Sequence, residues 1–151
     1  MLHHALKVSN VKQPPDLLAT VLHVANVVQD RLETALEPTG LSLAKLGALR
    51  HLAEANEPLA LGQLAERIAC VKSNVTQLVD RLEADQLVRR VPDPSDRRSV
   101  RAEITDQGRS RYEAGMEAMR AAEAELVGEL AITDRDQLQD LLGRLASVPL
   151  T

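Results

Sequence analysis

Aromatic residues are nearly absent from this 151-residue chain, which contains no phenylalanine or tryptophan and a single tyrosine, Tyr112. A core must therefore be built from leucine, valine, isoleucine and alanine. These residues recur mainly at helical spacing, which favours a mostly α fold. The chain is long enough for one domain with a hydrophobic core and too short for two unrelated ones.

Cysteine and long apolar runs are scarce as well. The lone cysteine, Cys70, excludes an intrachain disulfide framework and fits a reducing compartment. No apolar run is long enough to cross a bilayer, and the N-terminus lacks the basic start and continuous apolar centre of a signal peptide. We therefore expect a cytoplasmic protein with no membrane partner.

Catalytic motifs are missing too. The chain contains no HExxH sequence, no phosphate-binding glycine loop and no nucleophile elbow. Cys70 has no evident catalytic partner in the sequence. We expect neither enzymatic activity nor a cofactor.

Apolar periodicity predicts helices at both ends of the chain. Asp16 can cap a helix over residues 16–37, and the apolar residues of this helix lie on more than one face, as in helices covered from two sides. Thr105 begins a second helical region, residues 105–148, whose last helix starts at "TDRD" with Thr133 as its cap. We interpret the wide apolar face as a surface that a partner subunit covers.

Residues 42–104 have the outline of a helix-turn-helix followed by a hairpin. Three short amphipathic helices are separated by sharp turns, and the third covers about residues 73–86. The segments "LVRRVP" and "SVRAEIT" then alternate apolar and polar residues as two half-buried strands would, with a turn at residues 92–95 between them. We predict that residues 87–104 form a two-stranded wing directly after the third helix.

The third helix has a polar face opposite its apolar stripe. Asn and Gln can bind an adenine edge bidentately, Ser can donate or accept, and recognition helices read bases with their N-terminal residues. The outward-facing candidates are Ser73, Asn74, Gln77 and Arg81. The polar face alone is a weak indication, because every amphipathic surface helix has one.

Arginine is concentrated beside this helix although the chain has a formal net charge of -4. Residues 72–101 hold seven Lys or Arg against five Asp or Glu, a local charge of +2 that includes Lys72 and leaves -6 elsewhere. Arg97 and Arg98 lie at the predicted hairpin tip, where a loop could enter the negative potential of a narrow minor groove. Asp96 could orient a guanidinium through a charge-assisted hydrogen bond, although a solvated surface ion pair is the competing interpretation. This charge distribution predicts DNA binding.

The sequence resembles the winged helix-turn-helix proteins of the MarR family of bacterial transcriptional regulators. The most specific matches are "VTQLVDRLE", "RRVPDPSDRRS" and "ITDQG". The resemblance implies a mostly α fold with a winged helix-turn-helix, a two-stranded β wing and an N- and C-terminal helical dimerisation region. It further implies an obligate homodimer on a near-palindromic operator in double-stranded DNA.

The resemblance also implies roles for particular residues. Arg98 matches the wing arginine that enters the minor groove, and Asp96 matches the acid that steadies it. The positions that match DNA contacts on the third helix are Ser73, Asn74, Thr76 and Gln77. Two positions depart from the family pattern. Gln77 stands where many members carry arginine, and Gln86 stands at a helix end often occupied by glycine, which implies a different cap or a left-handed residue.

The sequence gives only weak candidates for a sensing site. The resemblance implies a response to a small anionic or phenolic compound, for which Lys45 and Arg50 are candidate anion partners in a mainly aliphatic pocket. Cys70 leaves a redox-responsive regulator as an alternative, although a buried inert thiol suits a single cysteine better. His23 and His51 lack the spacing of a zinc site, so we predict no bound metal.

These observations predict a homodimeric, sequence-specific DNA-binding transcriptional regulator, a repressor relieved by a small-molecule effector. Its half-sites would lie about 10 bp apart, one helical turn of DNA. The alternative is a winged-helix module that binds protein. The polar recognition face disfavours this alternative, because a protein-binding face would present apolar or aromatic anchors.

Overall fold

Six α-helices and three β-strands form the described chain, residues 16–68 and 72–149 of this computed structural model. A 3₁₀ turn, Glu37–Thr39, joins the first two helices. In chain order the elements are α1 Leu17–Leu36, α2 Leu43–Ala55, β1 Leu59–Ala60, α3 Leu61–Arg67, α4 Lys72–Ala84, β2 Val88–Pro92, β3 Val100–Ile104, α5 Asp106–Val127 and α6 Ile132–Ala146. The predicted mostly α fold with a winged helix-turn-helix is confirmed.

Side-chain caps start three of the long helices, two of them at the predicted Asp16 and Thr105 and one at Ser42. The Asp16 carboxylate accepts a hydrogen bond from the Leu18 N–H (3.0 Å), and Ser42 Oγ accepts from the Lys45 N–H (3.2 Å). Thr105 Oγ1 accepts from the Gly108 N–H (2.9 Å) at the start of α5. These bonds satisfy N–H groups that have no partner within the first turn of a helix.

The start of α6 differs from the prediction, because Thr133 is not its cap. The helix begins at Ile132 after an extended Ala131, whose carbonyl accepts from the Arg135 N–H (3.0 Å). The Arg135 side chain also reaches back and donates to the carbonyls of Leu130 (3.0 Å) and Gly128 (3.5 Å). The turn after α5 is therefore closed by an arginine, and Thr133 lies inside the first helical turn.

The core lies where α2, α3 and α4 meet the small sheet. The predicted stripe of α4 faces inward, since Val75, Val79 and Leu82 are fully buried and Leu78 is half-buried. The largest fully buried side chains are Leu36, Leu49, Leu52, Leu59, Leu64, Leu82, Leu87, Val75, Val79 and Val88. Aliphatic residues thus build the core without aromatic ones, as the composition requires.

The sheet has one strand more than the predicted wing. Its order is β1-β3-β2 and all pairs are antiparallel, so the two wing strands pair as predicted and β1 adds to the other side of β3. β1 contains only two residues, Leu59 and Ala60, opposite Ala102 and Arg101. A strand of two residues shows no alternation, which explains why the sequence pattern does not reveal it.

The α4–β2 junction is a Schellman motif with an unusual residue at its left-handed position. The Leu87 N–H donates to the Leu82 carbonyl (2.9 Å) and the Gln86 N–H donates to the Glu83 carbonyl (2.9 Å). Gln86 has φ 62, a conformation that favours glycine. Of the two consequences expected for a glutamine here, the structure shows the left-handed residue.

Helices α1 and α6 carry apolar side chains that nothing in the described chain covers. In α6 every residue except Arg135 is exposed. The exposed large apolar residues of the two helices are Leu17, Leu18, Leu22, Val24, Val27, Ile132, Leu138, Leu141, Leu142 and Leu145. Over residues 16–68 and 72–149, no helix combines the length and hydropathy that a membrane span requires.

Candidate nucleic-acid interface

The outward face of α4 carries the predicted polar residues. Asn74, Gln77 and Arg81 are exposed and recur at intervals of three and four, on the side opposite the buried valines. Thr76 is half-buried. The first two residues of the helix are Lys72 and Ser73, whose side chains lie outside the described part of the structure. A helix with this face could present amide groups to base edges and a guanidinium to a phosphate.

The tip of the wing is a structured loop between β2 and β3. The Asp93 N–H donates to the Ser99 carbonyl (3.1 Å) and the Ser99 N–H donates to the Asp96 carbonyl (3.0 Å). The Asp96 carboxylate accepts from the backbone N–H of Arg98 (2.9 Å). Asp96 therefore fixes the backbone of the turn, which differs from the guanidinium contact considered from the sequence. Arg97 and Arg98 are both exposed at this tip.

Asp93 anchors the base of the loop from inside. Its side chain is 9% exposed and accepts from the Ser95 N–H (2.9 Å) and the Ser95 Oγ (2.8 Å). Arg101 Nε lies 3.1 Å from the other carboxylate oxygen, and Arg101 Nη1 donates to the Pro58 carbonyl (3.4 Å). The hydrogen bonds from Ser95, together with Arg101, lower the pKa of Asp93 from 3.8 to about 2.

Asp93→Asn is expected to lower the free energy of unfolding at pH 7. The difference from wild type is expected to shrink in acid. A carboxyl whose pKa is lower in the folded state stabilises the fold above its unfolded pKa, here 3.8, and ceases to do so as the pH falls through about 2. Unfolding in urea, followed by circular dichroism at pH 7, 4 and 2.5, measures the difference between the two proteins. A difference that stays constant from pH 7 to 2.5 would contradict the role assigned to the Asp93 charge.

Three arginines near the wing are neutralised by acids of this chain. Arg89 Nε lies 2.5 Å from Glu103 Oε2 across the strand pair, and Arg101 pairs with Asp93. Arg90 bonds to both Asp80 and Glu83 of α4, and the hydrogen bond with Asp80 is the main cause of a raised Arg90 pKa. The guanidinium groups of Arg90 and Arg101 are held against the fold, whereas Arg89 is paired but 67% exposed.

The remaining arginines of residues 72–101 have no acidic partner among the described residues. In the part of the chain that the structure describes, no carboxylate oxygen lies within 4.0 Å of the guanidinium of Arg81, Arg97 or Arg98. All three side chains are exposed. The excess of arginine in the sequence therefore divides into a structural set and a set that is available to bind an anion.

Sequence reasoning missed the structural roles of Arg90 and Arg101. In the sequence both appear only as local positive charge. The sequence does contain a signal for the role of Arg90. Asp80 and Glu83 are three residues apart and share one face of α4, where a cation would offset the repulsion between the two carboxylates. No comparable spacing signals the Arg101–Asp93 pair, which depends on the closure of the hairpin.

The two predicted sensing cations are each paired with a different acid of this chain. Lys45 Nζ is 2.7 Å from Asp85 Oδ2, and Arg50 Nε is 2.8 Å from Glu54 Oε1 one turn along α2. A separate open groove of about 620 Å³ lies between α1 and α5, with Arg31 and Ala122 among the residues that line it. The anion-binding role of the two cations stays a prediction.

The metal and redox candidates stay predictions, because the structure describes only part of them. His23 is exposed on α1 and His51 is half-buried on α2. Within the described residues there is no group of three or more His, Cys, Asp or Glu side chains placed to hold a metal ion. Cys70 lies outside the described residues.

Comparisons with known proteins agree with this geometry. Residues 39–99 match the model of the MarR family. The transcriptional activatory protein BadR of Rhodopseudomonas palustris is 35% identical over 114 residues, 73% of this chain, and this chain spans 65% of BadR's length. The uncharacterized HTH-type transcriptional regulator YkoM of Bacillus subtilis is 32% identical over 117 residues, which cover 76% of this chain and 71% of YkoM.

Solved structures show the same architecture over most of the chain. The structure of CouR from Rhodococcus jostii RHA1 bound to p-coumaroyl-CoA superposes with a TM-score of 0.72 at 28% identity. The superposition covers 91% of this chain and 96% of that one. Together with the sequence matches, it shows that the chain belongs to the MarR family.

Proposed function

We propose that this chain is a sequence-specific DNA-binding transcriptional regulator with α4 as its recognition helix and the β2–β3 hairpin as its wing. One observation carries the proposal. Among the arginines of residues 72–101, Arg81, Arg97 and Arg98 have no acidic partner in the described chain and are on the outer face of α4 and at the wing tip. The other three, Arg89, Arg90 and Arg101, each pair with an acid of this chain. Exposed guanidinium groups beside a polar helix face suit phosphates and base edges.

Each candidate contact has a role in this proposal. Asn74 and Gln77 bind base edges in the major groove, and Arg81 binds a phosphate further along the helix. Additional contacts near the helix N-terminus come from Lys72, Ser73 and Thr76. At the wing tip Arg98 enters the minor groove beside Arg97, while Asp96 holds the backbone of the turn.

The working unit in this proposal is a homodimer. Residues 16–37 and 105–148 form a helical dimerisation region, and residues 42–104 form the winged helix-turn-helix DNA-binding region. The exposed apolar side chains of α1 and α6 support this division, because a second copy would remove them from water. Two recognition helices would then bind half-sites of a near-palindromic operator about 10 bp apart.

Regulation in this proposal comes from a small-molecule effector that releases the repressor from DNA. CouR, a relative by fold and sequence, was crystallised with p-coumaroyl-CoA, which supports a small organic anion as effector. Such an effector must bind the two dimer shapes with different affinity, and Lys45 and Arg50 are the candidate cations for it. BadR is an activatory protein, so the direction of regulation needs a transcription assay.

Arg98→Ala is expected to weaken operator binding by about 1–3 kcal/mol and to leave the dimer intact. The lost contacts are electrostatic and the dimer has two wings, so the slope of log Kd against log salt should fall by about two, one per wing. Fluorescence anisotropy with the intergenic DNA beside the protein's own gene measures both quantities at several salt concentrations, with random DNA as reference.

Arg120→Ala is the matched control, since Arg120 is an exposed arginine of α5 paired with Glu117. This substitution removes the same charge from α5, outside the wing, and should leave the Kd for the operator fragment within about twofold of wild type. Equal losses for the two variants would show that only net charge matters. Wild-type protein that binds operator-proximal and random DNA equally, at every salt concentration, would contradict the proposed function.

A further inference from the structure

Arg90 links the wing strand β2 to the recognition helix through three bonds. Its Nη1 donates to Glu83 Oε1 (2.9 Å), its Nη2 donates to Asp80 Oδ1, and its backbone N–H donates to Glu83 Oε2 (3.1 Å). The planar guanidinium thus bridges two carboxylates that lie three residues apart on one face of α4. Its side chain is 24% exposed, whereas those of Asp80 and Glu83 are 59% and 43% exposed, so solvent screens these pairs in part.

The backbone bond pairs one N–H group on an open edge of the sheet. β2 is an outer strand in the order β1-β3-β2, and Arg90 stands opposite Ala102 of β3. An outer strand carries N–H groups that the sheet itself does not pair. The Arg90 N–H binds a carboxylate of α4 instead, so Glu83 fastens both the main chain and the side chain of the wing strand to the recognition helix.

This link joins the two surfaces that the proposed function needs at once. Asn74, Gln77 and Arg81 lie on the outer face of α4, and Arg97 and Arg98 lie at the far end of the hairpin that Arg90 fastens. If the angle between helix and hairpin were free, DNA binding would have to order it, at a cost in affinity. A fixed angle lets contacts on both parts form together.

We infer that Arg90 is a positioning residue for DNA binding, which holds the wing at a fixed angle to the recognition helix through Asp80 and Glu83. This inference rests on the proposed function. It assigns Asp80 and Glu83 of α4 to positioning the wing, whereas their negative charge alone would only repel DNA. Asp80 is mostly exposed on the helix next to Arg81. Simple repulsion from phosphates predicts that Asp80→Asn strengthens DNA binding, whereas the positioning role predicts that it weakens binding.

The first experiment measures Kd for the operator fragment with Arg90→Gln, Arg90→Lys and Asp80→Asn, at a temperature where circular dichroism shows each variant folded. Arg90→Gln should bind roughly tenfold more weakly with an unchanged salt slope, because no phosphate contact is lost. Arg90→Lys should recover part of the affinity, since an ammonium group keeps the positive charge but lacks the planar fork of donors that reaches both carboxylates. Asp80→Asn should also bind more weakly.

Arg89→Gln and Glu113→Gln are the matched controls. Arg89 is the neighbouring arginine of β2, paired with Glu103, so its replacement changes the charge equally without touching α4. Glu113 is an exposed acid of α5 and controls for the loss of a negative charge. Both should stay within about twofold of wild type. An equal loss with Arg89→Gln, or tighter binding with Asp80→Asn, overturns the positioning role.

A second readout separates positioning from plain stability. If Arg90 aligns the wing, Arg98→Ala should raise Kd by a smaller factor in the Arg90→Gln protein than in wild type. If the two residues act independently, the fold-changes in Kd of the two single variants should multiply in the double variant. Without DNA, amide hydrogen exchange in residues 88–104 should be faster in Arg90→Gln, and exchange in α1 should be unchanged. Independent effects or unchanged exchange overturn the inference.

Failure of the proposed function would look different. If wild type fails to distinguish the operator fragment from random DNA, the function falls and the role of Arg90 falls with it. If wild type binds specifically and Arg90→Gln binds equally well, only the positioning role is overturned.

Discussion

Gly108→Ala is expected to destabilise the fold by about 3 kcal/mol or more, the largest effect of any alanine substitution proposed for this chain. A Cβ added at Gly108 would lie 2.0 Å from the Leu87 carbonyl oxygen and 2.8 Å from Cγ1 of Ile104. That oxygen accepts the hydrogen bond from the Thr105 N–H (3.0 Å), so it cannot move without breaking the start of α5. Backbone has to shift, which is why the cost is high.

Gly47→Ala provides the matched control. Gly47 lies within α2, and a Cβ added there meets no atom within 4 Å. This substitution should stabilise the protein by about 0.5–1 kcal/mol, because alanine restricts the unfolded chain and suits a helix interior. Urea unfolding followed by circular dichroism compares the two variants with wild type. A loss below about 1 kcal/mol for Gly108→Ala would show that the α4–β2 junction can shift to fit a Cβ. The close approach of Gly108 to Leu87 would then not be required.

The position of Gly108 also explains part of the family signature. The glycine ends the motif "ITDQG", in which Thr105 caps α5 and the glycine lets the first turn of α5 approach the chain just after α4. The first turn of α5 is thereby packed directly on the α4–β2 junction. A side chain here would separate the helical region from the winged region.

Much of the fold could be predicted from the sequence because its signals are local. Asp16, Ser42 and Thr105 cap helices within their own first turn, and the apolar stripe of α4 repeats at helical spacing. The wing strands alternate, and their turn contains two prolines. Each of these features acts over a few residues, so no knowledge of distant contacts is needed.

The parts that could not be predicted depend on contacts between distant residues. β1 exists because Leu59 and Ala60 pair with a strand about forty residues further along the chain. The division of arginines follows the same rule, since Arg101 reaches Asp93 only after the hairpin has closed, and Arg90 reaches Asp80 only when β2 packs back on α4. A sequence shows how many arginines are close together and not which of them are already paired. The ion pairs therefore decide which of these arginines are available as candidate DNA contacts.

Leu142→Glu is expected to dissociate the proposed homodimer and to weaken operator binding at least about 100-fold. Leu142 belongs to the apolar set of α6 and is 45% exposed in the single subunit. In the proposed dimer this leucine is covered, so the substitution buries two unpaired carboxylates, one per subunit, at about 3–5 kcal/mol each. Single subunits would then bind one half-site at a time and lose the gain of about 10²–10⁴ from joint binding.

Gln139→Glu adds the same residue to the same helix and is the control. Gln139 is exposed and outside the leucine set, so the dimer should persist with nearly unchanged affinity. Analytical ultracentrifugation gives the mass of each protein, and anisotropy gives its affinity for the operator fragment. A Leu142→Glu protein with twice the mass of one chain would show that α6 is not the buried contact. The apolar face of α1, which includes Leu18 and Leu22, would then be the surface that the second copy covers.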